Sequence, residues 1–105
     1  MKYLTLLELA DGQQMSALVP HIVREDLAVW DAYRRGVLRE MYFQQDPLAV
    51  SLVFEAENED EVRAELAKLP MVKHDLLQVR VFSLGPWVAF ERLFDRSLIS
   101  NLPGD

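Results

Sequence analysis

Six consecutive residues constrain this chain most: Ala49-Val50-Ser51-Leu52-Val53-Phe54. The run is rich in β-branched and aromatic side chains and is apolar on both the odd and the even positions, Ser51 excepted. Successive strand side chains point to opposite faces. A strand over Leu48 to Ala56 therefore buries both of its sides, and it belongs inside a sheet with something covering each face.

The rest of the chain supplies partners for that strand. Lys2 to Leu9 reads as a first strand, ended by the turn signal Asp11-Gly12. Ser16 is placed to cap a helix running to about Arg35, with Gly36 as its C-terminal stop. Pro20 falls fourth after that cap, where no intrahelical N–H bond is lost. Val37 to Gln44 reads as a second strand, closed by Asp46-Pro47. After the central run, Asn58 and Glu61 have the spacing of a capping box. The helix they open carries Val62, Leu66 and Leu69 on one stripe and ends at Pro70. Leu76 to Leu84 is a fourth strand, and Gly85-Pro86 breaks it before the aromatic-rich segment Trp87 to Phe94.

This order, β-α-β-β-α-β, is the split βαβ arrangement of an α+β, ferredoxin-like fold. Four antiparallel strands form one sheet, with both helices on one face. Residues 1–94 are expected to form a single domain, and residues 95–105 a C-terminal tail. The second sheet face is too apolar to stand bare, and the economical cover is the sheet of a second copy. A homodimer is the expected assembly.

Composition removes several function classes. The 105 residues contain no cysteine, so disulfides, thiolate catalysis and cysteine-ligated metals are excluded. The formal net charge of −6 argues against nucleic acid or an anionic membrane as partner. The two histidines are far apart in sequence, which disfavours a histidine-rich metal site, and no stretch is long and apolar enough to span a bilayer. The opening MKYLTLLELADG lacks a small-residue cleavage site and reads as a strand rather than a leader. Cytoplasmic location is the expectation.

Two places carry chemistry. In Gly36-Val37-Leu38-Arg39-Glu40-Met41-Tyr42-Phe43, regular alternation puts Arg39 with Met41 and Phe43, and Glu40 with Leu38 and Tyr42. One charge then lies on each face of a sheet covered on both. A shielded charge needs a partner; the alternative is a solvated strand end or a structural ion pair. On the first helix, a wheel at about 100° per residue places Val23, Trp30 and Tyr33 on a broad apolar face. Asp26 falls near its middle and Glu25 at its edge. Such a carboxylate is paired, hydrogen-bonded or protonated, unless the helix turns at Pro20 and exposes it. Arg39 on the neighbouring strand is its natural partner, or that of an anionic ligand. His74, in the connection before the fourth strand, has the chemistry of an acid or base. Tyr42 is a candidate donor to a developing enolate, and Trp30 a candidate pocket wall.

The segment Arg34-Arg35-Gly36-Val37-Leu38-Arg39, followed by Leu66-Ala67-Lys68-Leu69-Pro70-Met71, resembles the muconolactone isomerases, as does the element order. More broadly the chain is similar to the dimeric α+β barrel proteins. The resemblance implies proton transfer on a small unsaturated lactone bearing a carboxylate, with no cofactor and no metal. It matches Glu25 to a helix glutamate of the family and Arg39 to a strand arginine. Asp26 stands where the family has a lysine, and Phe43 where it has a second arginine, so a less anionic substrate is implied.

Three functions remain open on these residues. The first is a cofactor-free isomerase or lyase acting on a small organic acid or lactone. Asp26 or Glu25 would be its base, His74 or Tyr42 a proton donor, and Arg39, Glu40, Tyr42 and Trp30 its substrate contacts. The second is a cofactor-independent monooxygenase or cyclase using the aromatic side chains. The third is a non-catalytic module that binds a small molecule or dimerises.

Overall fold

The computed structural model describes residues 1–104 of the chain. Strands β1 (Lys2–Leu9), β2 (Leu38–Gln44), β3 (Ala49–Glu55) and β4 (Leu77–Leu84) form one antiparallel sheet in the order β2-β3-β1-β4. The run that limits the fold most is, as required, an inner strand. Leu7 of β1 faces Val50, Thr5 faces Leu52 and Tyr3 faces Phe54. These six residues share the inner face of the sheet, and all but the half-buried Val50 are buried. Thr5 is the buried polar exception, and its hydroxyl donates to the carbonyl of Leu52 (2.9 Å).

The helical layer covers that inner face. Helix α1 (Ile22–Arg34) follows a 3₁₀ segment over Met15–His21. The expected continuous helix from Ser16 is therefore wrong in its first turns. Pro20 has no N–H to donate, and the chain before it winds more tightly; Ser16 caps nothing, Gln14 being the residue ahead of the 3₁₀ turns. Helix α2 (Glu59–Leu66) begins as expected, with Asn58 Oδ1 accepting from the Glu61 N–H (2.9 Å) and Glu61 Oε2 from the Glu57 N–H (3.0 Å). It stops at Leu66. Pro70 then opens a one-turn helix, α3 (Pro70–Lys73), at the first helical position, where proline fits best.

Two expectations about facing are corrected. First, α1 presents Glu25, Ala28, Val29 and Ala32 towards the sheet, while Val23, Leu27, Trp30 and Tyr33 are exposed. The helix is turned so that small side chains meet the strands, and the large apolar stripe is left uncovered by its own chain. Second, β2 is not regular. Leu38 pairs with Phe54, but Glu40 pairs with the next residue of β3, Val53. Arg39 is the extra residue of a β-bulge. The bulge shifts the alternation by one, so Leu38, Met41 and Phe43 share the inner face, and Glu40, Tyr42 and Gln44 the outer.

The outer face of the sheet carries no helix. Leu4 and Leu6 of β1 lie beside Val53, Phe82 and Leu84 there. Beyond β4 the chain leaves the body as an arm: a 3₁₀ turn over Val88–Phe94, then helix α4 (Arg96–Ser100), capped by Asp95. With this arm the chain extends 61 Å in its longest direction. Its radius of gyration is 18.7 Å, against about 13 Å for a compact chain of this length. No helix is long and apolar enough to cross a membrane among the described residues.

Phe54 is 2% exposed at the junction of β1, β2 and β3. Phe54→Ala is expected to cost about 3–5 kcal/mol, read from the urea midpoint at constant slope.

Candidate active site

A cavity of about 560 Å³ opens between the sheet and the first half of the helical layer. Strand register makes its floor: Leu7, Val50 and Leu52 come from the two central strands, and Leu77 from β4. Met41 and Phe43 reach it only because the bulge returns them to the inner face. Met15, Leu18 and Val19 of the 3₁₀ segment, with Ile22 and Val29 of α1, make the roof. Few polar residues border this apolar space: Glu25, Asp26 and Ser16, with Tyr42 touching it only from the edge strand, its side chain being on the outer face. No lysine, arginine or histidine does.

Glu25 is the half-buried member of that set. Its Oε1 accepts a hydrogen bond from the backbone N–H of Met71 (2.9 Å), so the carboxylate also caps α3. Burial pushes its pKa above the usual 4.5; the Met71 N–H opposes this, and the charge of Asp26 adds to it. Oε2 accepts no hydrogen bond from the described residues. Asp26, next along the helix, is exposed at the cavity mouth.

The other residues singled out in the sequence lie elsewhere. Arg39 is exposed in the bulge, and its Nε donates to the carbonyl of Gly36. It does not border the cavity or pair with Asp26. Glu40 and Tyr42 meet on the outer face, where the Tyr42 hydroxyl donates to Glu40 Oε1 (2.9 Å); that bond holds the phenol above its usual pKa. Trp30 packs beside Tyr33 on the outside of α1, with ring centroids 5.8 Å apart. His74 lies against His21, centroids 4.8 Å apart, in a separate cleft. The geometry thus brings Glu25 and Asp26 together at the cavity, turns the Tyr42 hydroxyl to the outer face, and leaves Arg39, Glu40, Trp30 and His74 outside the cavity. Ser16, expected only as a helix cap, and Met15, Met41 and Met71, expected only as core, also border the cavity; their convergence depends on the 3₁₀ turns and the bulge. Among the described residues no cluster of three or more histidine, aspartate or glutamate side chains is arranged to hold a metal ion.

The raised pKa of Glu25 has a sign that can be measured. Relative to the unfolded chain, the fold favours the protonated acid. That contribution is complete below the unfolded value and is lost as the pH rises through the higher folded one. Glu25→Gln keeps a carbonyl for the Met71 N–H and removes the charge. Its stability relative to wild type is therefore expected to improve as the pH is raised from about 4 towards 7, as read by urea midpoints across that range.

No family model matches the chain, and neither does any curated protein. Among solved structures it is similar to the 5-chloro-2-hydroxyhydroquinone dehydrochlorinase of Burkholderia phenoliruptrix AC1100, determined in complex with 2,5-dihydroxybenzoquinone. The two share 16% identity with a TM-score of 0.68, over 81% of this chain and 94% of that one. At that identity the likeness is one of fold. The chain has a ferredoxin-like α+β fold.

Proposed function

We propose that the cavity binds a small, uncharged, unsaturated ring compound, and that Glu25 moves a proton within it. The observation that carries this reading is a half-buried carboxylate, its pKa raised by burial, set in the wall of an apolar cavity that no cation borders. A base poised nearer to working pH is what proton abstraction beside a carbonyl requires. Glu25 Oε2 takes the proton, and the C–H electron pair moves into the carbonyl as an enolate. Return of the proton to a conjugated carbon completes an isomerisation. Departure of a leaving group from the adjacent carbon completes an elimination.

That no lysine, arginine or histidine among the described residues lines the cavity argues against a carboxylate-bearing substrate. Such an anion would be desolvated beside Glu25 and Asp26 with nothing to pair it. A neutral lactone or a neutral hydroxylated aromatic ring such as a hydroquinone fits the apolar floor instead. The dehydrochlorinase of the same fold favours the second: its name states removal of hydrogen chloride from a hydroxylated ring, and its structure holds a hydroxylated benzoquinone.

The test is deuterium exchange. Neutral unsaturated lactones and hydroquinones are incubated with the protein in D₂O and followed by NMR. Incorporation at an acidic carbon is expected, falling about a hundredfold or more in Glu25→Gln and persisting in Arg39→Ala. Exchange that survives Glu25→Gln would remove Glu25 as the base.

The proposed working unit is a homodimer or a larger assembly of this chain. Trp87 is 70% exposed, Phe94 85% and Leu102 69%, all on an arm that packs mainly on itself. The outer sheet face and the outward stripe of α1 are also uncovered apolar surface, more than a monomer ordinarily shows. In sedimentation at micromolar concentration the full chain is expected to run as a dimer or larger, and Phe90→Asp/Phe94→Asp as a smaller species. A monomeric full chain would sink the proposal.

A further inference from the structure

A second cleft, about 350 Å³, shares no lining residue with the apolar cavity and takes the last two residues of the 3₁₀ segment. Its lining is Pro20, His21, Arg24, Lys68, Pro70, Lys73 and His74. This is an unusual collection for a chain with 17 acidic residues against 11 Lys and Arg. Both histidines of the protein and three of its eleven Lys and Arg side chains line it, and among the described residues no carboxylate does. Lys68 is partly neutralised by Glu65 (3.1 Å). Arg24 and Lys73 have no carboxylate within ion-pair distance among the described residues.

From this cleft we infer a binding site for a small oxyanion, a phosphate or carboxylate group. The two imidazoles stand 4.8 Å apart at 33°, offering ring N–H donors from two different elements. His21 closes the 3₁₀ segment and His74 closes α3. Arg24 supplies a planar fork and Lys73 a point charge, the two complementary ways of holding an oxyanion. Pro20 and Pro70 fix the backbone on either side and offer no N–H of their own. The net charge of −6 does not cancel this local excess. Screening confines exposed charges to a range of about 8 Å at physiological salt, and the cleft wall within reach of a bound anion is cationic.

The site is distinct from the proton-transfer cavity and does not depend on that function. It does share the 3₁₀ segment with it, so a bound anion would brace the wall that carries Met15, Leu18 and Val19.

The test is an NMR titration of the histidine ring signals at fixed pH, with inorganic phosphate in one arm and succinate in another. Sodium chloride at equal ionic strength is the reference. Saturable shifts of both His21 and His74 are expected in at least one arm and not with chloride; the tighter arm identifies the preferred group. Arg24→Ala/Lys73→Ala is expected to weaken that binding roughly tenfold or more. Lys2→Ala, on the other side of the molecule, is the control and leaves it unchanged. Shifts that follow ionic strength alike for all three salts, or saturable binding that survives in the double variant, overturn the assignment.

Discussion

How closely α1 approaches the sheet governs the rest of the molecule. Near its C-terminal end the helix meets the strands through Ala32, which is buried, and Ala28. Side chains this small let backbone come near backbone, and the helix is held there by area rather than by interlocking bulk. Under the first half of the helix the inward position falls to Glu25, and the neighbouring space is not filled. The result is an open cavity of about 560 Å³. The same rotation that turns Ala28 and Ala32 inward turns Val23, Leu27 and Trp30 outward. Cavity and uncovered stripe are two results of one choice of helix face.

Charge is distributed along α1 in keeping with this division. At its C-terminal end Arg35 is paired with two acids: two bonds to Glu65 (3.0 and 2.7 Å) and one to Asp31 (2.8 Å). These pairs lower the pKa of Glu65 and Asp31 and tie α1 to the end of α2. They are partly solvated and of modest worth individually, but the two-point geometry fixes orientation. At the N-terminal end the charges are not neutralised in this way. Glu25 has a single backbone N–H for partner, Asp26 faces the cavity mouth, and Arg24 points into a cleft of like charges. Ion pairs hold the helix in place at one end, and uncompensated groups are available to ligands at the other.

Much of this was legible from residue order. The apolar run around Leu52 demanded a central strand, and the turn and cap residues Asp11-Gly12, Asn58 and Gly85-Pro86 marked the element ends, because each acts locally. Glu25 and Asp26 stood out as acids among apolar neighbours, and both border the cavity. What could not be read was phase. Regular alternation assigned Arg39 to the face of Met41, and the bulge overrode it; a bulge arises from pairing with β3, which no window on β2 contains. A wheel drawn over α1 chose the larger apolar side as the core, since area is the natural guide in one chain. The preference for Ala28 and Ala32 is a property of how near the sheet lies. His21 and His74 share a cleft across 53 positions, and only the turns at Pro20 and Pro70 bring them together.

The bulge also determines which changes in length β2 can absorb. Leu38 and Met41 lie on the same face with two residues between them, one more than a regular strand places between neighbours on a face. Removing position 39 would restore ordinary alternation with Leu38, Met41 and Phe43 still inward. Removing any residue from 41 to 43 would turn part of the cavity floor out to solvent. One position of this edge strand is thus a place where related chains can differ in length without changing what lines the site.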